Sequence, residues 1–194
     1  MKKAIFIVTI LFVAVISTAC INNMAVQELN NAAKSYMDKG DYESAIDRLE
    51  SSLELDTNIY ETYYNLGVAY ISAKQYPKAI DSLNKAIKIN SKYANTYYAL
   101  AVAQENYADS LVDNDKQELK PDENEQANPE NMDIYKNVSV AIKEQMIEGY
   151  LSSIANYKKY LEMVNSKQRE EEISSHISDM EKVLTKLGYT GSVY

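Results

Sequence analysis

Residues 40–56 read "GDYESAIDRLESSLELD", and residues 74–90 read "KQYPKAIDSLNKAIKIN". Sliding the chain by 34 residues lays Tyr42, Ala45, Ile46, Asp47 and Leu49 over Tyr76, Ala79, Ile80, Asp81 and Leu83, and Tyr36 over Tyr70. The same shift carries "ETYYNLGVAY" (61–70) onto "NTYYALAVAQ" (95–104), with Thr, Tyr, Tyr, Leu, Val and Ala unchanged. A fixed period of this length marks stacked helical hairpins. One helix pair cannot bury its own apolar face, so copies accumulate until a continuous core forms.

The spacing inside each copy agrees. Tyr63, Leu66, Gly67 and Tyr70 fall at i, i+3, i+4 and i+7 on one helical face, and Ala45, Ile46, Leu49, Ser52 and Leu53 do the same for a second helix. Small residues at Ala33, Gly67 and Ala101, and again at Ala45 and Ala79, stand where two backbones must approach. Bulkier side chains there would overpack the contact at a cost of roughly 1–3 kcal/mol. Gly40 reads as the glycine that ends a helix, and Asn58 with Glu61 three residues later reads as an N-cap with its capping box.

These positions resemble the tetratricopeptide repeat family, whose unit carries an aromatic, Leu-Gly, Tyr, Gly-x-Tyr and two further Ala. The second copy matches with Tyr63, Leu66, Gly67, Tyr70, Tyr76, Ala79, Leu83 and Ala86. The first matches with Leu29, Ala32, Ala33, Tyr36, Gly40, Tyr42, Ala45 and Leu49, and has Ser52 at the second Ala. Thr57 and Ser91 replace the family's closing Pro and are expected to cap the following helices. The resemblance covers about residues 26–107 and one later helix. It implies an all-α fold: a right-handed α-solenoid of about three helical-hairpin repeats, spanning 26–112, with a C-terminal capping helix. It further implies a concave groove lined by the first helix of each repeat, at Asn30 and Lys34, Tyr64 and Val68, and Tyr98 and Val102.

Tyr64 and Val68 lie i, i+4 apart, off the Tyr63, Leu66, Gly67 and Tyr70 face, and Tyr98 and Val102 repeat them. Aligned as a stripe, they suit an apolar or aromatic peptide partner with Tyr as a low-entropy anchor. They do not suit a charged C-terminus, because residues 59–73 and 93–107 contain no Lys or Arg. The alternative is that the helix near 134–147, or the N-terminal segment, covers the stripe as core.

The N-terminus is of another kind. "MKK" is followed by "AIFIVTILFVAVI" (4–16), apolar apart from Thr9, and then by the small residues of "STAC". Thirteen helical residues reach about 20 Å, short of the ~30 Å hydrocarbon core, so residues 1–19 read as an export signal rather than a span. Cys20, the sole cysteine, stands at the end of that segment. Ile16-Ser17-Thr18-Ala19-Cys20 resembles the lipobox of bacterial lipoproteins, which implies acyl chains on Cys20 that hold the protein to a membrane, with 20–25 as tether. Ser17 stands where that pattern prefers Leu. Ordinary cleavage after Ala19 is the other reading of the same residues.

The formal charge is −8 at pH 7, and loss of Lys2 and Lys3 with the signal would lower it by two more units. Such a body is repelled by anionic lipid and has no basic patch for phosphates, which excludes nucleic acid as a partner. Between residues 109 and 133 nine acids meet two lysines, with Pro121 and Pro129, so 113–133 reads as an acidic loop or linker. Asp113-x-Asp115 begins like a calcium loop, but Glu118 and Asn124 occupy the positions of the required Gly and bidentate Glu.

Periodicity resumes at Ile134, Val138, Ile142 and Met146 and continues through "SSIANYKKYLEM" (152–163). Two readings stand: an insertion splits the third repeat, or 134–163 is a degenerate fourth repeat turning near Gly149. In residues 168–188 the stripe Ile173, Ile177, Met180, Leu184 and Leu187, with Gly188 at its end, predicts the capping helix, and 189–194 is a tail. His176 stands beside that stripe without a second His, no serine has a base near it, and no phosphate loop or Cys-x-x-Cys occurs. The chain therefore reads as a non-enzyme without cofactor or metal.

The function expected is an exported, lipid-anchored scaffold for protein–protein interaction at the bacterial cell envelope, facing the periplasm or the exterior. The alternatives are a structural subunit of an envelope or outer-membrane assembly complex, to which the C-terminal residues bear a loose similarity, and a non-lipidated secreted accessory protein.

Overall fold

The computed structural model describes residues 23–118, 135, 138–164 and 166–191. The signal-like segment 1–19, Cys20 and residues 119–133 of the acidic stretch lie outside the described residues. Every regular element among those described is a helix: α1 (23–38), α2 (Tyr42–Leu55), α3 (Tyr60–Ser72), α4 (Tyr76–Ile89), α5 (Ala94–Glu118), α6 (Val140–Met163) and α7 (Lys167–Lys186). Each of α2 to α6 packs on the next helix in the chain, α3 also touches α5, and α7 closes the row against α6. This is an α-solenoid of helical hairpins.

The small residues are where the hairpins need them. Ala45, Ala79 and Ala101 are fully buried and Ala33 nearly so. Gly67 lies so close to α4 that a methyl group on it would stand 2.5 Å from Leu83 Cγ. Leu83 and Leu49, 34 residues apart, are both fully buried at equivalent positions of α4 and α2. The repeat seen in the sequence is thus a repeat of contacts.

Turn chemistry is also repeated. Gly40 has φ +76°, and Lys74, its equivalent one repeat on, has φ +58°. In both turns the backbone closes on itself: Asp41 N–H donates to Tyr36 O (3.0 Å) and Gln75 N–H to Tyr70 O (2.8 Å). Gly188 ends α7 the same way, with Tyr189 N–H donating to Leu184 O at 2.9 Å. This is the left-handed C-terminal cap that satisfies the last carbonyls of a helix, and glycine adopts it without the strain that Lys74 must bear.

The caps expected from Asn58, Thr57 and Ser91 are not formed. α3 starts at Tyr60 with Ile59 as its cap residue and no side-chain cap bond. Asn58 is held outside the helix because its N–H donates to Asp56 Oδ1 at 2.8 Å, and 34 residues on Lys92 N–H donates to Asn90 Oδ1 at 3.0 Å. A short side-chain oxygen that captures the N–H two residues ahead makes its own turn and leaves the neighbouring polar side chain with nothing to cap. Side-chain caps form elsewhere, at Asp41 for α2 and Ser139 for α6.

Three boundaries differ from the sequence reading. α1 begins at residue 23, inside the stretch taken as tether. α5 runs on to Glu118, so residues 113–118 are helical rather than loop. α6 is a single helix of 24 residues across 140–163, which leaves no hairpin there and removes the degenerate fourth repeat. α5 and α6 pair directly as the two helices of one hairpin, with Ser153 Oγ donating to Ala101 O at 2.9 Å where Leu83 meets Gly67 in the preceding repeat. Their longer reach is held by Tyr135 and Val138, both buried with Leu111 and Val112, and by the Tyr150 hydroxyl, which donates to Asp109.

α5 stands between two cores. Ala99, Leu100 and Ala103 join Leu49, Leu66 and Leu83 on one side, while Ala101, Ala108 and Leu111 join Met146, Ile154 and Leu184 on the other. A helix that is apolar on both flanks is what an interior member of a stack requires.

Candidate partner-binding groove

Tyr64 and Val68 stand one helical turn apart on α3, and Tyr98 and Val102 occupy the equivalent places on α5. On the other side of α3, Tyr63, Leu66 and Tyr70 line an open cleft of about 570 Å³ shared with α2 and α4. There the Tyr70 hydroxyl donates to Glu50 at 2.6 Å, and burial, with the Glu50 carboxylate second, pushes the phenol well above its ordinary range.

Neither tyrosine of the stripe is isolated. Tyr64 meets the edge of Tyr93 at 5.2 Å between ring centroids, and Tyr60 lies 5.3 Å from the same ring. Tyr98 sits against two rings of α6, Tyr157 at 5.6 Å and Tyr160 at 5.3 Å, yet keeps 37% of its surface exposed. Val68 packs partly against the first core and Val102 partly against the second. The rings of the stripe, Tyr64 partly buried and Tyr98 exposed at one side, therefore each pack against other rings. Edge-to-face pairs of this kind contribute about 0.5–1.5 kcal/mol beyond their area. The helix that reaches the stripe is α6 through Tyr157 and Tyr160, beyond the 134–147 stretch suspected from the sequence.

The C-terminal end of this face is tied down by polar contacts. His176 Nε2 of α7 lies 2.8 Å from Glu105 Oε2 of α5, and the Tyr157 hydroxyl reaches the same oxygen at 3.3 Å. The imidazole meets the edge of the Tyr157 ring at 5.5 Å. Burial, followed by the Glu105 charge, pushes Tyr157 far above the usual phenol range, so it remains a neutral hydrogen-bond donor.

The first repeat differs. Lys34 is exposed, but Asn30 turns inward: its Nδ2 lies 3.0 Å from each of Val26 O, Ser52 Oγ and Thr62 Oγ1, and its Oδ1 accepts from Asn65 Nδ2 at 3.3 Å. Ser52 and Thr62 are fully buried and need these bonds. At the next interface the equivalents of Asn30, Ser52 and Asn65 are Tyr64, Ala86 and Ala99, and Thr96 Oγ1 is buried without a partner. One interface in the stack is polar and the next is apolar. Asn30→Ala is expected to cost about 1–3 kcal/mol in urea unfolding, because it orphans three polar groups. Gln27→Ala, one turn earlier on α1, should leave the midpoint unmoved; equal midpoints for both variants would mean that the network is idle.

The structure thus groups Tyr64 with Tyr93 and Tyr98 with Tyr157 and Tyr160, leaves Lys34 in solvent, and assigns Asn30 to the packing between repeats. Periodicity alone missed Tyr157 and Tyr160, since no spacing links α6 to Tyr98 across more than fifty residues. Among the described residues no group of His, Cys, Asp and Glu could hold a metal ion, and no helix is long and apolar enough to cross a membrane.

A family model described as tetratricopeptide repeat matches residues 60–93, and a second, described as TPR repeat, matches residues 33–73. No curated protein matches the chain. Among solved structures, the first TPR of Spaghetti (RPAP3) bound to the HSP90 peptide SRMEEVD is similar, with TM-score 0.56 and 16% identity over 84% of this chain and 94% of that one. The second TPR domain of human RPAP3 in complex with the HSP70 peptide SGPTIEEVD gives 0.55 and 12% over 82% and 98%. The Yersinia enterocolitica type III secretion chaperone SycD, in complex with a peptide of the translocator YopD, gives 0.51 and 15% over 82% and 91%. At these identities the likeness is one of fold.

Proposed function

We propose that this chain, whose residues 33–93 carry tetratricopeptide repeats, is an exported, lipid-anchored scaffold that captures a protein or peptide partner at the bacterial cell envelope. The observation that carries the reading is the stripe itself: Tyr64 with Val68, and Tyr98 with Val102, at equivalent places on successive first helices, with the rings partly exposed and packed against Tyr93, Tyr157 and Tyr160. Pre-braced aromatic rings lose little conformational entropy when a partner covers them, and such rings dominate binding energies at interfaces. Structurally similar proteins are described in complex with peptides, which supports peptide capture by this fold.

Replacing Tyr64 and Tyr98 together by Ala should abolish co-purification of the partner from detergent-solubilised envelopes while the helical circular dichroism signal and a cooperative melt persist. A variant that no longer melts cooperatively would make the two rings core and end the groove assignment.

The anchor is proposed from Cys20 and the signal-like segment before it. The acidic body would not hold to anionic lipid by charge, so acyl chains would supply the membrane affinity, two or more being needed for stable anchoring. Cys20→Ser should move the protein from the membrane pellet to the soluble fraction and remove its labelling by a radioactive fatty acid. Normal protein that carries no acyl mass would exclude the lipid and leave a secreted scaffold.

A further inference from the structure

At the N-terminal end of the same face, α1, α3 and the turn before α3 line a cleft of about 640 Å³, within the size range of ligand sites. Its polar lining is Asn23, Gln27, Asn30, Asn31, Asn65, Asp56 and Glu61, with no Lys or Arg. The amide orientations follow from the network. Val26 O can only accept, so Asn30 must turn Nδ2 toward it and Oδ1 toward Asn65, and Asn65 must then donate through its own Nδ2. Gln27 Nε2 lies 3.3 Å from Asn23 Oδ1. Of the five amides, Asn30 has its Nδ2 fully engaged inside the protein, and Asn65 and Gln27 each direct one N–H to a neighbouring amide oxygen. Beside the amides of Asn23 and Asn31, the lining offers the acceptor oxygens of Asn65 and Gln27 and its two charged groups, the carboxylates of Asp56 and Glu61.

We propose that this cleft binds a cationic side chain of the partner, an arginine by preference, so that the captured segment is basic where it passes the first repeat. The proposal rests on the groove reading above and adds the partner's charge. A guanidinium presents five N–H donors and no acceptor, which complements a lining whose only charges are carboxylates and which offers amide oxygens beside them, and its planar fork can engage Glu61 and Asn65 together. A carboxylate would meet two like charges and no free cation. This is the opposite polarity to the acidic peptides SRMEEVD and SGPTIEEVD held by the two structurally similar domains.

The test uses two blocked, fluorescein-labelled hexapeptides of Leu, Tyr and Ala that differ only in one central residue, Arg or Glu, titrated by anisotropy into the purified chain. The arginine peptide should bind at least tenfold more tightly and should shift the side-chain amide resonances of Asn65. The preference should collapse in the Asp56→Asn, Glu61→Gln variant, which keeps the turn and hydrogen-bonding atoms but removes both charges. It should also shrink as salt rises. Equal binding of the two peptides, tighter binding of the glutamate peptide, or a preference unchanged in the neutral variant overturns the charge assignment, while loss of both peptides in Tyr64→Ala, Tyr98→Ala keeps the groove. Binding of either peptide that ignores the tyrosine change overturns the groove, and this inference with it.

Discussion

Leu83→Ala should lower the free energy of unfolding by about 2–5 kcal/mol, read as a fall in the urea midpoint at unchanged slope. The side chain is fully buried and presses directly on Gly67, so truncation opens a cavity at the crossing of α3 and α4 rather than at an edge that could collapse. The same crossing makes the companion result sharp. Gly67→Ala alone forces its new methyl into Leu83 Cγ and should cost roughly 1–3 kcal/mol. Placed together with Leu83→Ala, that methyl enters vacated space, so the double variant should be clearly more stable than the sum of the singles implies. Strict additivity of the two changes would show that the helices cross elsewhere, since only residues in contact couple in this way.

The second large effect lies at the other end. Leu184 is buried among Met146, Ile154, Ile173, Ile177 and Met180, the seam between α7 and α6. Leu184→Ala should cost about 2–5 kcal/mol, but that cost should fall on one part of the molecule. In a stack each unit touches only its neighbours, and α7 has α6 as its main contact. Amide exchange should therefore accelerate through residues 167–186 and at the adjoining face of α6, while α2 (Tyr42–Leu55), which belongs to the other core, keeps its protection. Uniform acceleration through both regions would mean that the two cores unfold as one and that the solenoid description overstates their independence.

Local arithmetic determined much of this protein. The 34-residue offset located α2 to α4, the start of α5, and their burial: Ala45, Leu49, Ala79 and Leu83 are all fully enclosed. The 3.6-residue stripe located α7, where Ile173, Ile177, Met180 and Leu184 are buried, as is Leu187 at its C-cap. Both signals survive in a single sequence because each helix meets its neighbour through the same residues in every copy. Other features were fixed only when distant segments met. Residues 113–118 have a loop's composition, yet α5 carries through them, beyond Leu111 and Val112 packed against Tyr135 and Val138. Asn58 and Glu61 have a capping box's spacing, yet Asp56 captures the Asn58 N–H first. Asn30 shares its repeat position with Tyr64 and Tyr98, yet it serves the packing between repeats, because Ser52 and Thr62 stand buried beside it while the next interface has Ala86 in place of Ser52. Periodicity assigns a residue to a face of its helix. Its partner there depends on which side chains the neighbouring helices bring, and for Tyr98 those are Tyr157 and Tyr160, delivered by the docking of a helix more than fifty residues away.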